Sequence, residues 1–387
     1  MQESRKIRIL WLTDNEFDTQ RYTSRLVEVI THLQKSCDVQ LVTGYARRKV
    51  QPAEFHNKII YYDMAKLPYA KAVTRYLAQC RVFGAMVKSF RPDVVIFNVL
   101  NPILMRYAAA LRRKHDIKVI CDVRTFAVSH SVCRNRVFDG LLASCLRYTA
   151  KHLDGITYIT DEMRRYCIEK YKLHEHPSAI WTSGVNPKLF SPSKAASNSR
   201  GLTILYHGTI SRRRNIESII NALSLIKDID VHLALLGDGD GLQRLMQLVG
   251  RLGLDTQVSF EKPVDYKEVP DWINTCDVGI LPFDDWDGWN VCSPIKLFEY
   301  LACGKPVIVT NITAHRNVLQ DSPFAFWANQ GSPEDIAEAI RHVYNRRKSL
   351  EHLGSESRKL ILADHTWARQ ADKLKLFCDS VLENQRT

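Results

Sequence analysis

The stretch SPIKLFEYLACGKPVIVT, residues 293–310, reads as a short helix with a start and a stop signal, running into a buried strand. Ser293 is a good N-cap, Pro294 suits a first turn that needs no N–H, and Gly304 followed by Pro306 ends the helix after about two and a half turns. Lys296 and Glu299 are three apart and share a face, while Leu297 and Leu301 point the other way, toward packing. Val307–Val309 is an apolar run of the kind buried inside a parallel sheet. A helix start at Ser293, Pro294 and Ile295, with a lysine in the first turn, suits a phosphate or diphosphate through its unpaired N–H groups and the macrodipole. Glu299, one turn further in, carries two acceptor oxygens able to take both hydroxyls of a ribose. Taken alone, the same pattern also describes an ordinary capped helix with Lys and Glu on its wet face.

Outward from this stretch, strands and helices alternate along the whole chain. In the first half, Ile7–Leu12, Val39–Val42, Ile59–Asp63, Val94–Asn98, Val119–Val123 and Ile156–Ile159 read as strands, and Thr19–Gln34 as an amphipathic helix. The turn-rich segment SGVNPKLFSPSKAASNSR, residues 183–200, interrupts the pattern. The grammar then restarts with strands at Leu202–Tyr206, Val231–Leu236, Val258–Phe260 and Val278–Pro282, and helices at Ile216–Ile226 and Leu242–Leu252. The expected organisation is an α/β chain of two Rossmann-like, doubly wound domains facing a central cleft. Its expected parts are an N-terminal domain over 1–183, a linker over 184–200, a C-terminal domain over 201–365 and a last amphipathic helix over 366–387.

With 387 residues, 45% hydrophobic and 25% charged, the chain is long enough for two real cores and is not disordered in composition. No apolar run reaches the roughly 18 residues that span a bilayer, and the N-terminal apolar segment is too short for a signal peptide, so a cytoplasmic protein is expected. Ten cysteines, scattered with no CxxC pair, read as reduced core residues. The net charge of +12 lies entirely in the first half, where residues 1–200 hold 33 Lys/Arg against 17 Asp/Glu, and the remainder 21 against 25. Basic amphipathic stretches at Tyr69–Arg91 and Val132–His152 carry much of the excess. They point to an anionic membrane surface at the inner face of the cell membrane. Nucleic acid is not expected, because no reader motif is present.

The blocks YHGTISRRRNIESIINAL, LALLGDGDG, VSFEKPVDYKEVPDWINTCDVGILPF and SPIKLFEYLACGKPVIVT occur in an order that closely resembles the donor-binding domain of the family 4 retaining glycosyltransferases, and most of all the branch with an SPxKxFEYxAxGKPV motif. PDVVIFN, DGITYITDEM and GVNPKLFSP are similar to landmarks of that family's first half, and WARQADKL to its last helix, which packs back toward the N-terminal domain. The resemblance implies a GT-B fold. It also implies a nucleoside-diphosphate-sugar donor, transfer of a hexose to a glycan or glycolipid acceptor in cell-surface glycan synthesis, and no metal or other cofactor. On this reading Lys296 contacts the diphosphate, Glu299 the ribose, and Arg214 neutralises the leaving phosphate, with Gly208 and Thr209 letting the backbone approach it. The family glutamate eight residues before Glu299 falls on Val291, which leaves Asp285, Asp287 and Asn290, with Trp286 and Trp289, as the groups for the donor sugar. Thr209 stands where the family has an arginine, Arg124 stands near a usual histidine, and DNEFDTQR replaces a glycine pair in the first loop. Arg124 is thus expected at sugar or diphosphate, though not as a base. Two rivals share these features: a nucleotide-sugar epimerase of the same fold, and a non-catalytic membrane-associated scaffold that keeps the donor pocket.

Overall fold

A computed structural model describes residues 5–13, 20–45, 59–63, 71–98, 101–125, 132–193 and 201–383. The chain divides into two compact units, Met1–Ser183 with Trp367–Thr387, and Gly184–Thr366.

The first unit runs β1 (Ile7–Thr13), α1 (Gln20–Leu33), β2 (Cys37–Tyr45), β3 (Ile59–Asp63), α2 (Lys71–Phe90), β4 (Val94–Asn98), α3 (Pro102–His115), β5 (Lys118–Val123), α4 (Val132–His152), β6 (Gly155–Tyr158), α5 (Asp161–Tyr171) and β7 (Ser178–Ile180). These strands form one sheet in the order β3-β2-β1-β4-β5-β6-β7, every pair parallel. Val94–Phe97 and Val119–Cys121 of β5 are buried, which is why both read as unbroken apolar runs rather than as alternating ones. The short β7 carries no apolar run of its own and escapes a pattern reading. Asn101 caps α3 by accepting from the N–H groups of Ile103 and Leu104 ahead of Pro102, and left-handed Asp116 ends it. The loop DNEFDTQR falls largely outside the described residues.

The second unit continues with β8 (Leu202–His207), α6 (Ile216–Ser224), β9 (Val231–Leu236), α7 (Leu242–Leu252), β10 (Val258–Glu261), α8 (Val269–Thr275), β11 (Val278–Leu281), α9 (Asp287–Asn290), α10 (Ile295–Ala302), β12 (Val307–Thr310), α11 (Thr313–Leu319), β13 (Ala325–Ala328), α12 (Pro333–Asn345) and α13 (Leu350–Asp364). Its sheet is again parallel, in the order β10-β9-β8-β11-β12-β13. The order reverses between β8 and β11, the place where doubly wound sheets bind ligands beyond their strand carboxyl ends. Part of the segment read as a linker is built into this unit: Val185 and Phe190 are buried in its core, and the Arg358 guanidinium donates to the carbonyls of Phe190 and Pro187 at 2.8 and 3.2 Å. Residues 194–200 lie outside the described set. The unit's ends meet, because Val185 N–H donates to His365 O at 2.9 Å and Val185 bridges Thr366.

The last helix, α14 (Trp367–Glu383), belongs to the first unit and packs against α1 and β7. Its buried Trp367, Gln370, Ala371, Leu374, Phe377, Cys378 and Val381 follow one helical stripe. Gln370 accepts from the Thr182 N–H at 2.8 Å.

Candidate functional site

The candidate residues of the second unit gather at the carboxyl ends of β8 and β11. β8 ends in Tyr206–His207 and turns at Gly208, whose φ of +106° suits a glycine. The loop after β8 and the GDGDG loop after β9 run in backbone contact: Gly208 N–H donates to Leu236 O at 2.8 Å, and Ile210 N–H to Asp238 O at 2.9 Å. A Cβ on Gly237 would sit 2.0 Å from Gly208 O, and one on Gly239 2.2 Å from Ile210 O. Those glycines serve loop-on-loop packing here, which holds Gly208 and Thr209 at the sheet edge.

Lys296 crosses over this turn. A Cβ on Gly208 would lie 2.5 Å from Lys296 Cε, so the glycine is what lets the lysine pass. The ammonium donates to the Tyr206 hydroxyl at 3.2 Å and stands 4.4 Å from that ring's centroid, while the hydroxyl donates to Thr209 O at 2.8 Å. Arg214 closes a short turn of 3-10 helix, Arg212–Arg214, and its guanidinium lies over Trp289 and Phe283, 4.4 and 5.0 Å from their centroids. Among the described residues no carboxylate forms an ion pair with Arg214. Burial pushes the Tyr206 hydroxyl and the Cys292 thiol up to about 12, and the Arg214 charge opposes both shifts.

Glu299 does not lie on a wet helix face. It is 3% exposed, with the Tyr266 hydroxyl donating to Oε1 at 2.8 Å and His207 Nε2 standing 3.4 Å from Oε2. Burial raises the Glu299 carboxyl to about 7 against the opposing Tyr266 bond and Lys296 charge, and burial followed by Lys296 pushes His207 well below its ordinary value. In that dry pocket the two drift toward the neutral acid and the neutral imidazole rather than toward an ion pair. The expectation that both carboxylate oxygens are open to a ribose is therefore corrected: Oε1 is engaged by Tyr266.

The helix start is corrected as well. α10 begins at Ile295 with extended Pro294 at the N-cap, and no side chain caps it; Ser293 lies one residue before the cap. The Leu297 N–H closes the first turn by donating to Pro294 O at 3.0 Å.

Both sequence comparisons and structural neighbours point one way. Residues 188–360 match the family "Glycosyl transferases group 1", and residues 19–176 match the "Glycosyl transferase 4-like domain". The two matches fall one on each unit and both are to glycosyltransferase domains, and the fold is GT-B. It is 26% identical over 184 residues to a D-inositol 3-phosphate glycosyltransferase of Paenarthrobacter aurescens, covering 44% of each chain. It is also 26% identical over 226 residues to the putative teichuronic acid biosynthesis glycosyltransferase TuaH of Bacillus subtilis, covering 55% of this chain and 54% of TuaH. The chain spans about half the length of these curated relatives. Anabaena Alr3699/HepE in complex with UDP shares the fold with a TM-score of 0.75 at 12% identity, over 97% of this chain and 100% of that one.

For a GT-B glycosyltransferase, the remaining expected donor groups are placed unevenly. Asn290 is committed within its own loop, donating to Asp285 at 2.6 Å and accepting from the Thr313 N–H at 2.8 Å. Asp287 opens α9 and is exposed; Val291 is buried, an apolar residue in an apolar place. Trp286 meets Trp289 edge to face at 5.8 Å, and Trp289 stacks on Phe283 at 4.9 Å, so this loop is packed by its aromatics. Arg124, in the first unit, is 8% exposed: it donates to Trp181 O at 2.5 Å, stacks on that indole and faces Asp122 at 3.3 Å. Burial lowers it to about 9, opposed by Asp122. Its position answers to the sheet end, not to an open ligand surface.

Tyr206, His207 and Tyr266 were not singled out by sequence reasoning. His207 is the last of the six residues of β8, after an apolar run, and nothing in its spacing announces a carboxylate 92 positions later.

Proposed function

We propose that the protein is a retaining hexosyltransferase, of the branch with the SPxKxFEYxAxGKPV motif. It moves a sugar from a nucleoside-diphosphate sugar to a lipid-linked or polysaccharide acceptor in cell-surface glycan synthesis, at the cytoplasmic face of an anionic membrane. The observation that carries this reading is Lys296 crossing Gly208 at the reversal point of the second sheet, with Arg214 on Trp289 in the loop that follows the same strand. Two fixed cations beside a glycine turn and the start of α10 suit a diphosphate whose charge grows as the sugar leaves. They fill the charge-neutralising role that a divalent ion has in other phosphate sites, so no metal is assigned. Glu299 takes the ribose through Oε2, with Tyr266 holding Oε1. Asp287 and the Trp286–Trp289 pair are assigned to the sugar end.

The complexes of Alr3699/HepE with UDP and with UDP-glucose support a nucleotide-sugar donor, and TuaH supports a polysaccharide context. The test is calorimetric titration with a panel of nucleotide sugars, followed by transfer assays over glycan and glycolipid acceptors. Binding of one donor with transfer and retained anomeric configuration is the expected result. Binding without transfer to any acceptor favours a scaffold, donor interconversion without acceptor favours an epimerase, and no binding overturns the donor site itself.

A further inference from the structure

Helices α2, α3 and α4 return from successive parallel strands and pack side by side. Gly84 of α2 receives Tyr107 of α3, where a Cβ would stand 2.4 Å from the hydroxyl; Arg106 of α3 lies 5.0 Å from the Tyr148 ring of α4. Arg112 of α3 donates to His152 O at 2.9 Å. The three helices together carry twelve Lys/Arg and one acid, Asp139, which is engaged by Lys170 and Tyr171 at 2.6 and 2.7 Å. A solvated helix face normally mixes signs, so this is a single-sign surface.

Apolar side chains stand out of it. Leu77 is 57% exposed, Ile103 49% and Val137 60%, one on each helix, and Tyr107 adds a half-open aromatic. All four lie in the N-terminal halves of their helices, while exposed Lys88, Arg113, Lys114 and Lys151 lie toward the C-terminal ends. Because each helix runs back against its strands, the apolar rim borders the carboxyl edge of the first sheet, and the cationic end the opposite edge. There a cavity of about 590 Å³ opens between the ends of α2 and α3, lined by Arg5, Arg8, Lys88 and Arg91 together with Asp93 and Asp116.

We propose that the α2–α3–α4 face is the membrane-docking surface, seated on a bilayer of anionic lipid with its cations on the headgroup phosphates and Leu77, Ile103 and Val137 in the interface. The occupant follows from composition: helices with twelve cations and a single acid, already paired, need an anionic partner, and the aliphatic residues at their rim gain by entering lipid. In this pose the carboxyl edge of the first sheet lies nearest the inserted residues, where the headgroup of a lipid-linked glycan is presented. The inference rests on the membrane-associated part of the function proposed above and adds which face meets the lipid.

The experiment is co-sedimentation of the full chain with vesicles of phosphatidylglycerol and phosphatidylcholine, against phosphatidylcholine alone. Wild type is expected on the anionic vesicles only, released by salt. Lys88→Glu/Arg113→Glu/Lys114→Glu is expected to weaken partition on the order of 100-fold. Leu77→Ser/Ile103→Ser/Val137→Ser should abolish the fraction that resists moderate salt, and Lys227→Glu/Arg251→Glu/Lys348→Glu in the second unit should bind like wild type. Circular dichroism melting checks that each variant folds; if the charge-reversed one does not, the serine variant carries the test. Equal losses from the control and face variants, or wild-type binding that neither face variant weakens, overturn the inference and leave membrane association standing. Wild type that ignores anionic vesicles overturns both, without touching the donor titration. Tighter binding to duplex DNA than to vesicles, unaffected by the serine variant, assigns the face to nucleic acid and overturns the lipid assignment.

Discussion

At the carboxyl edge of the first sheet, Arg124 is buried between Trp181 and Asp122, and Asp122 in turn accepts from Thr157 at 2.8 Å and from Asn98 at 3.2 Å. At the same edge of the second sheet, Arg214 is half-buried on two aromatic faces and Lys296 reaches over a glycine to a tyrosine hydroxyl. One architecture thus treats its cations in two ways. A guanidinium set against a carboxylate in the interior is held between the ends of β5 and β7, by Asp122 and the Trp181 carbonyl. A guanidinium laid on a ring keeps its fork of donors for an anion that arrives from outside. Charge alone does not distinguish the two edges; burial against Asp122 at the first and the aromatic platform under Arg214 at the second do.

The contrast is open to attack by substitution. The largest effect is expected at the first edge: Arg124→Met leaves Asp122 buried without its cation and should cost about 3–5 kcal/mol of stability in urea unfolding. Lys296→Met, by comparison, should shift stability by less than about 1 kcal/mol while weakening donor binding in calorimetry. Comparable stability losses from the two would erase the distinction. Next, Arg214→Ala should lower turnover by roughly 100-fold or more with a smaller loss of donor affinity, since its charge counts most as the phosphate leaves; equal losses in both constants would mean uniform binding.

Glu299 should make donor affinity rise with pH. Its carboxyl sits near 7, and the carboxylate is the better acceptor for ribose hydroxyls, so nucleotide-sugar affinity should increase up to about tenfold from pH 6 to pH 8. Glu299→Gln should flatten that profile and bind more weakly at pH 8. Stability runs the other way: a folded-state carboxyl raised above its unfolded value stabilises at low pH and loses that contribution as pH rises through about 7. The melting temperature of Glu299→Gln should therefore gain on wild type between pH 5 and pH 8. His207, depressed by burial, opposes this below its ordinary value. Smallest of all, Tyr266→Phe should move the affinity profile to higher pH, because the hydroxyl that favours the ionised carboxylate is gone. A profile unmoved by that change would detach Tyr266 from the site.

Much of the fold is legible from residues because parallel strands buried on both faces must be apolar throughout, as Val94–Phe97 and Val307–Val309 are. β7 is not legible, since its three residues are half-exposed and owe their strand state to pairing with β6. In the site, Lys296 and Glu299 are found by helical spacing. Their environments are not, because a period of 3.6 places two residues on one face without saying whether that face is wet. Tyr266 and His207 reach Glu299 only through the fold, from 33 and 92 positions away. The Asn290 expectation shows the reverse: an amide drawn from a polar loop looks available until Asp285 and the Thr313 N–H are seen to occupy it. Arg124 shows the same thing in the interior.

The bridge between Val185 and Thr366 has a bearing on how this chain is put together. The second unit is an insertion whose entry and exit points lie side by side, about one strand spacing of 4.8 Å apart. Closing it into a ring takes a linker of a few residues, and new ends can then be opened at an exposed turn such as Asp255–Thr256, after α7. A domain with neighbouring ends suits circular permutation and transplantation. The second unit of this molecule is thus organised as a cassette, carried between two segments of the first, with its own core and its own seam.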